Sequence, residues 1–283
     1  MLCRLIGRRV RRLFGIPYPR GLQAVWKNRA VANANPLLGV GALFAQRESK
    51  SELRGTCFLF RSDVIALTAA HCVAENLDEF AVLLPHVNPA KQMRVNRVER
   101  HPRADIAMLF CDGDDSRDDY GNPVLGFRDG FSNWQLGSEF NAYGYPMEGP
   151  AALRGPATAT PRFFAGYFQR IFYHESHAGF RYLAGELNIP APIGLSGGPV
   201  FMPGPGRGVF GVVADNVESQ KVTDEFSETR WDGTHYKEKT ARILTYGVAV
   251  MLSGVADWLN DLTPPSEKGT RGWTLMQYDP LAG

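Results

Sequence analysis

The second half of the chain carries the stretch Gly194-Leu195-Ser196-Gly197-Gly198-Pro199-Val200-Phe201, in which one serine is set among glycines. Glycine tolerates the positive φ angles that a tight turn requires, and its small size leaves neighbouring backbone N–H groups uncovered. Such N–H groups can receive the oxyanion that develops during acyl transfer. The stretch predicts a nucleophilic Ser196 on a turn before a strand, and a glycine-rich turn without chemistry is the alternative.

A serine alcohol reacts at neutral pH only when a nearby base removes its proton and a third group orients that base. Both partners are present upstream. Residues 63–73 form an apolar strand followed by a turn of small residues that ends on His71, and residues 101–110 place Asp105 at the head of another apolar strand. These two side chains are therefore the candidates for base and orienting carboxylate.

Three motifs resemble those of the chymotrypsin-like serine peptidases, in that family's order: Thr68-Ala69-Ala70-His71-Cys72, Asp105-Ile106-Ala107-Met108-Leu109 and Gly194-Leu195-Ser196-Gly197-Gly198-Pro199. The resemblance covers about residues 37 to 262 and implies an all-β fold of two six-stranded antiparallel β-barrels with a C-terminal helix. It also implies a serine endopeptidase that cleaves protein or peptide substrates through an acyl-enzyme. Ser196 would be the nucleophile, His71 the base, Asp105 its orienting group, and the N–H groups of Gly194 and Ser196 the oxyanion hole.

The same glycines also satisfy the Gly-x-Ser-x-Gly elbow of α/β-hydrolases, which is the main rival interpretation. An elbow leads from a strand into a helix, whereas the proline-rich and glycine-rich segment 199–206 predicts a short strand that ends in a turn. In those hydrolases the histidine follows the serine, but here it precedes it. Both features argue against the elbow.

The chain departs from the digestive members of the resembled family in three places. Leu195 replaces the aspartate that pairs with a newly cut N-terminus, so activation by that ion pair is excluded and the resemblance shifts toward bacterial or organellar members. Pro190 stands where trypsin-type members carry the aspartate that receives lysine or arginine, so basic specificity by that route is not expected. Ala214, Asp215 and Asn216 complete the predicted substrate-binding residues, the last two at positions where tryptophan and glycine often stand.

Short apolar runs broken by turn residues predict many strands, as do the 30 glycines and 19 prolines. Six runs precede residue 111, which suits one barrel: 38–45, 55–60, 64–68, 80–85, 93–98 and 106–110. We expect a leader over 1–35, a first barrel over 36–120, a second over 121–252 and a helix with its tail over 253–283. Residues 215–241 are charged and lack apolar periodicity, which predicts a long surface insertion that caps the site or binds a partner.

Composition excludes little, because a net charge of +2 and 44% hydrophobic residues are ordinary for a globular chain. The four cysteines lack metal-site spacing, and the aspartate-rich segment 111–119 fails the EF-hand pattern, so it predicts a linker. No metal or cofactor is expected. His174 and His177 flank Glu175 without the zinc-helix spacing and are expected at the surface. In the resembled family the nearest counterparts of a disulfide are Cys57 and Cys72, with free thiols as the alternative.

The first 47 residues contain nine basic and no acidic side chains, and residues 2–14 have apolar residues at helical spacing. A basic amphipathic helix there predicts binding of residues 1–30 to a membrane surface, a nucleic acid or a protein partner, and a frayed terminus is the alternative. Because no apolar signal core is present, we expect a cytoplasmic location and reduced thiols, with organelle targeting or peripheral membrane attachment as alternatives.

Intact His71, Asp105 and Ser196 favour an active enzyme over two alternatives. One is a catalytically silent relative that binds peptides or partners in the same cleft. The other is an esterase, since the same site cleaves small esters readily.

Overall fold

The computed structural model describes residues 36–47, 50–73, 79–87, 90–112, 126–130, 135–147, 160–204 and 208–263. The predicted leader, the tail after residue 263 and most of the aspartate-rich segment lie outside these residues. Within them, no helix has the length and apolar character needed to cross a membrane. The described histidines, cysteines and carboxylates include no group of three placed to hold a metal ion.

The first half of the fold is a closed antiparallel barrel of six strands, in the order β1-β2-β3-β6-β5-β4. Its strands are β1 (Val40–Arg47), β2 (Lys50–Leu59), β3 (Ile65–Thr68), β4 (Glu79–Leu84), β5 (Lys91–Arg100) and β6 (Ala107–Cys111). A 3₁₀ turn over Pro36–Gly39 leads into β1. Each predicted strand of this half overlaps one observed strand, and the all-β class is confirmed.

The second half is a sheet in the order β11-β8-β9-β10-β13-β12-β7. Its strands are β7 (Arg128–Asp129), β8 (Glu139–Gly144), β9 (Arg162–Glu175), β10 (Arg181–Leu187), β11 (Pro199–Phe201), β12 (Gly208–Thr229) and β13 (His235–Met251). An additional β11–β12 pairing joins six of these strands into a ring, and β7 adds to β12 in parallel. A 3₁₀ turn, Leu252–Val255, and a helix α1, Ala256–Leu262, follow β13.

The predicted surface insertion over 215–241 is exposed along most of its length, and it is regular secondary structure. These residues continue β12 and β13 as one antiparallel hairpin that is paired as far as Thr229 and His235. The hairpin has no apolar stripe, because both of its faces are exposed along nearly its whole length. Hydrophobic periodicity reports a buried face, so it cannot detect a ribbon that has none.

Alternation along the strands divides the apolar residues between three buried clusters. In β6, Met108 belongs to a cluster that also contains residues of the second half, whereas Leu109 belongs to one built only from the first half. In β13, Val250 joins the shared cluster and Met251 the one inside the second half. Because successive side chains point to opposite faces, strands buried on both faces need the continuous apolar runs seen in the sequence.

Candidate active site

Strand pairing brings His71 and Asp105 together. β3 ends at Thr68, β6 begins at Ala107, and these two residues are register partners. The chain therefore leaves β3 and enters β6 at the same edge of the barrel. His71 lies in the short 3₁₀ turn after β3, and Asp105 lies in the turn just before β6.

The two side chains form a tight pair. Nδ1 of His71 lies 2.7 Å from one carboxylate oxygen of Asp105, and the backbone N–H of His71 donates to the other at 2.9 Å. Asp105 is buried, whereas the His71 side chain is 39% exposed and so reaches solvent. Burial alone would lower the pKa of His71, but the hydrogen bond to Asp105 and contacts with Cys72 outweigh burial and raise this pKa well above 6.5.

The turn that carries Asp105 is held by a second histidine. Nδ1 of His101 accepts the backbone N–H groups of Arg103 and Ala104 at 3.1 and 2.8 Å. Partial burial, with the charge of Arg103, lowers the pKa of His101, which keeps this nitrogen free to accept. His101 thus fixes the loop behind Asp105.

Ser196 lies on the turn before β11 and is half-buried. Its carbonyl oxygen accepts the backbone N–H of Thr56 at 2.8 Å and contacts the thiol of Cys72, the neighbour of His71, at 3.7 Å. The serine backbone is therefore held beside the histidine turn. The hydrogen bonds of the described residues do not include one between the Ser196 hydroxyl and His71; such bonds are often long before substrate binds.

The predicted oxyanion donors have their N–H groups uncommitted. Gly194 has φ +90°, in the region that favours glycine. The Ile193 carbonyl accepts the N–H of Met147 at 2.7 Å, and because C=O and N–H of a trans peptide point in opposite directions, the Gly194 N–H faces the other way. Neither this N–H nor that of Ser196 donates to another described residue.

Thr56 on β2 holds the nucleophile turn at several points, and sequence analysis missed it. Its hydroxyl donates to the Gly194 carbonyl at 2.7 Å and accepts the Tyr145 N–H at 2.9 Å. Its N–H donates to Ser196, and its own carbonyl accepts the Thr68 hydroxyl at 2.7 Å. Thr56 is fully buried, so all of these bonds lie away from water.

The turn also needs its small and apolar residues. Gly197 has φ +87°, and a Cβ there would overlap the carbonyl of Thr56 and the hydroxyl of Thr68. Leu195, at the position of the absent aspartate, is fully buried among apolar residues. Hydrophobic burial and the Thr56 hydroxyl therefore hold the turn without an ion pair.

The predicted substrate-binding residues lie in two segments, one before the nucleophile turn and one on β12. Pro190 is exposed and Ala214 is buried in the shared apolar cluster. The Asn216 side chain accepts the Ala191 N–H and donates to the Ala191 carbonyl, both at 2.8 Å. Asn216 therefore ties β12 to the segment that precedes the nucleophile turn.

His174 is not a surface residue, contrary to the sequence-based prediction. It is 8% exposed and lies 3.0 Å from a carboxylate oxygen of Asp215, whereas His177 is exposed. Its register partner Tyr182 has a buried hydroxyl without a hydrogen-bond partner in the described structure. Burial, and then the charges of Asp105 and Asp215, raise the pKa of Tyr182, so the phenol stays protonated.

The described cysteines, Cys57, Cys72 and Cys111, are free and buried. Cys57 contacts the carbonyl of Gly41 rather than Cys72. The residue opposite Cys72 is Gly55, where a Cβ would lie 2.7 Å from the Cys72 sulfur. Cys57 and Cys72 are therefore free thiols in the structure and form no disulfide with each other.

Solved structures with a similar fold include three proteases. The MamO protease domain from Magnetospirillum magneticum has a TM-score of 0.55 at 14% identity, covering 82% of this chain and 98% of that one. The active form of the Rv3671c protease from M. tuberculosis has a TM-score of 0.52 at 17% identity, covering 81% of this chain and 84% of that one. The HtrA-type protease AlgW with a decapeptide has a TM-score of 0.54 at 13% identity, covering 82% of this chain and 65% of that one. At such identities the likeness establishes the fold alone.

No curated protein matches the sequence. Residues 55–212, more than half of the chain, match the family described as the trypsin-like peptidase domain. This segment contains His71, Asp105 and Ser196. The chain belongs to the trypsin-like peptidase family and has its chymotrypsin-type double-barrel fold.

Proposed function

We propose that the protein is a serine endopeptidase that uses Ser196, His71 and Asp105. The observation that carries the proposal is the 2.7 Å contact between His71 and the buried carboxylate, next to a serine turn with two uncommitted N–H groups. Attack of a serine on a carbonyl requires both an oriented histidine base and N–H donors for the oxyanion, and this site supplies both. The same site would accept activated esters.

Each residue has a defined step in the reaction. The Ser196 oxygen bonds to the substrate carbonyl carbon while His71 takes the hydroxyl proton, and the oxyanion is received by the N–H groups of Gly194 and Ser196. The C–N bond then breaks as His71 returns that proton to the leaving amine. Water repeats the sequence on the acyl-enzyme and releases the acid. Asp105 keeps the imidazole in the required tautomer throughout.

A fluorophosphonate reagent tests this proposal directly. We expect the folded chain to form one phosphonylated product, with the added mass on the peptide that contains Ser196, because only an activated serine attacks phosphorus readily. Mass spectrometry after digestion locates the adduct. Absence of labelling in the folded chain would favour the silent peptide-binding alternative.

A second measurement separates peptidase from esterase. We expect the chain to cleave unfolded casein at internal bonds as well as p-nitrophenyl acetate, and internal cleavage is detected by sequencing the new termini. Hydrolysis of the ester with no cleavage of casein would contradict the endopeptidase assignment while leaving the nucleophile intact.

Thr56→Val is expected to lower kcat about 10- to 100-fold with little change in KM. The variant keeps the shape of the side chain but leaves the Gly194 carbonyl without its donor, so the Gly194–Leu195 peptide, which lies between the two oxyanion N–H groups, is less well fixed. It also leaves two buried groups unpaired, which costs about 1–3 kcal/mol of stability per group. Steady-state kinetics and urea unfolding measure the two effects.

Thr56→Ser is the matched control, since it restores the hydroxyl without the methyl group. Recovery of kcat in the serine variant is expected. If valine and serine variants lose kcat equally, Thr56 acts through packing and the positioning role is wrong.

A further inference from the structure

The hairpin of β12 and β13 extends past the rest of the second half. Pairing of β13 with β10 ends at Gly247, and pairing of β12 with β11 ends at Val212. From Glu218 and its partner Thr245 to the hairpin end, the described strands pair only with each other. We call residues 218–245 the arm.

The arm is a two-stranded ribbon that leaves large apolar side chains in solvent. Trp231 is 99% exposed, and Phe226, Tyr236 and Ile243 are each 40% exposed or more. A two-stranded hairpin without a covered face has marginal stability in water, and a third strand is the usual remedy. The arm therefore has the properties of a surface that takes another strand.

The free edge of the arm begins beside the nucleophile. Val213 accepts the N–H of Gly197 and donates to the carbonyl of Gly198, the two residues that follow Ser196. After Val213, this edge of β12 has no strand partner among the described residues. An extended polypeptide whose carbonyl lies at Ser196 meets this edge first and can continue along it by strand addition.

Charge identifies what the edge accepts. The β12 side of the arm has four acidic residues and one basic residue: Glu218, Asp224, Glu225, Glu228 and Lys221. Lys237 and Lys239, two of the three basic residues that β13 contributes as lysine or arginine, both pair with Glu225. Glu218, Asp224 and Glu228 form no salt bridge with another described residue, so these three carboxylates are the ones available to a new strand. Like charges on neighbouring strands are unfavourable, so pairing of two copies through their β12 edges is disfavoured and a strand with lysine or arginine is favoured.

We infer that the arm is a substrate-docking strand, whose β12 edge binds an extended, cationic segment of the polypeptide that is cleaved at Ser196. This inference rests on the proposed function and extends it, because it assigns unfolded basic chains as the preferred substrates. A folded domain cannot offer an extended strand of this length, so compact proteins are expected to resist cleavage.

Two fluorescein-labelled probes test the inference on the full chain carrying Ser196→Ala: a peptide of seven Lys-Val repeats and one of seven Glu-Val repeats. Fluorescence anisotropy is expected to give a Kd about tenfold lower for the Lys-Val peptide. Replacing residues 220–243 with Asn-Gly closes the Ser219–Leu244 pair with a two-residue turn and is expected to remove the preference. Equal affinity for both peptides, or an unchanged preference after shortening, overturns the inference.

A second variant guards against a folding defect in the shortened chain. The exposed side chains of Glu218 and Glu228 are reversed in Glu218→Lys with Glu228→Lys, which is expected to exchange the order of the two affinities. Fluorophosphonate labelling of the same variants with Ser196 intact reports on the active site separately. Labelling without a charge preference overturns the arm inference alone, and loss of labelling in the unaltered chain contradicts the proposed function.

Discussion

We expect Ser196→Ala to lower kcat for peptide cleavage about a million-fold, the loss that removal of a serine nucleophile causes in comparable triads. No acyl-enzyme can form without the hydroxyl, and the oxyanion N–H groups then stabilise only the oxyanion formed when water attacks the substrate carbonyl directly. Because residual catalysis comes from binding and the oxyanion hole, some activity above the uncatalysed rate is expected. Single-turnover assays with the variant in excess over substrate measure it.

Ser51→Ala is the matched control, since Ser51 is exposed near the start of β2, outside the arm, and has no place in the proposed chemistry. It should retain the kcat of the unaltered chain. A Ser196→Ala variant that still forms a phosphonyl adduct or cleaves casein at the original rate would place the nucleophile elsewhere.

The part of the site that follows from local patterns was predictable from the sequence. His71 and Asp105 each lie next to a short apolar run that is one strand of the first barrel, and their motifs have a fixed order. Once β3 and β6 pair, both residues lie at the same edge of the barrel. The glycines around Ser196 likewise predicted a turn, and Gly194 and Gly197 have the positive φ angles that such a turn requires.

Thr56 could not be found in this way, because its partner Gly194 lies 138 residues further along the chain. A threonine on a strand has no local pattern that separates packing from hydrogen bonding. His174 was misplaced for a related reason: it alternates inward on β9 toward Asp215, but β9 has few buried positions to reveal the inward face. Long-range contacts determine the hydrogen bonding of Thr56 and the burial of His174, and local sequence patterns do not report such contacts.

The sequence of the arm contains a hairpin signal that a search for apolar periodicity does not detect. The Asp232-Gly233 pair sits at the turn, Gly233 has φ +82°, and β-branched and aromatic residues flank it on both sides. Asp-Gly between strand-forming residues is a hairpin signal that does not require a buried face. Turn chemistry and β-propensity therefore detect solvated ribbons, whereas periodicity detects packed strands.

Asp105→Asn is expected to lower kcat about 10⁴-fold, as in other triads where the carboxylate becomes an amide. The amide nearly matches the carboxylate in shape, so the His71 backbone N–H keeps an acceptor. The group facing Nδ1 of His71 then favours the wrong imidazole tautomer, with the proton on the nitrogen that must accept from Ser196. Asp261→Asn, at an exposed position on α1, is the control and should leave kcat unchanged.

The pH profile gives this variant a signature that a structural defect would not produce. His71 acts as a base only when neutral, so activity is lost as pH falls below its pKa. Burial lowers this pKa and Asp105 raises it, with a net rise above 6.5 in the unaltered chain. Its acid limb should therefore lie above pH 6.5, and removal of the carboxylate charge should move the limb of the remaining activity to lower pH. An acid limb that stays in place when kcat falls would mean that Asp105 does not set the charge state of His71, and the triad assignment would have to be abandoned.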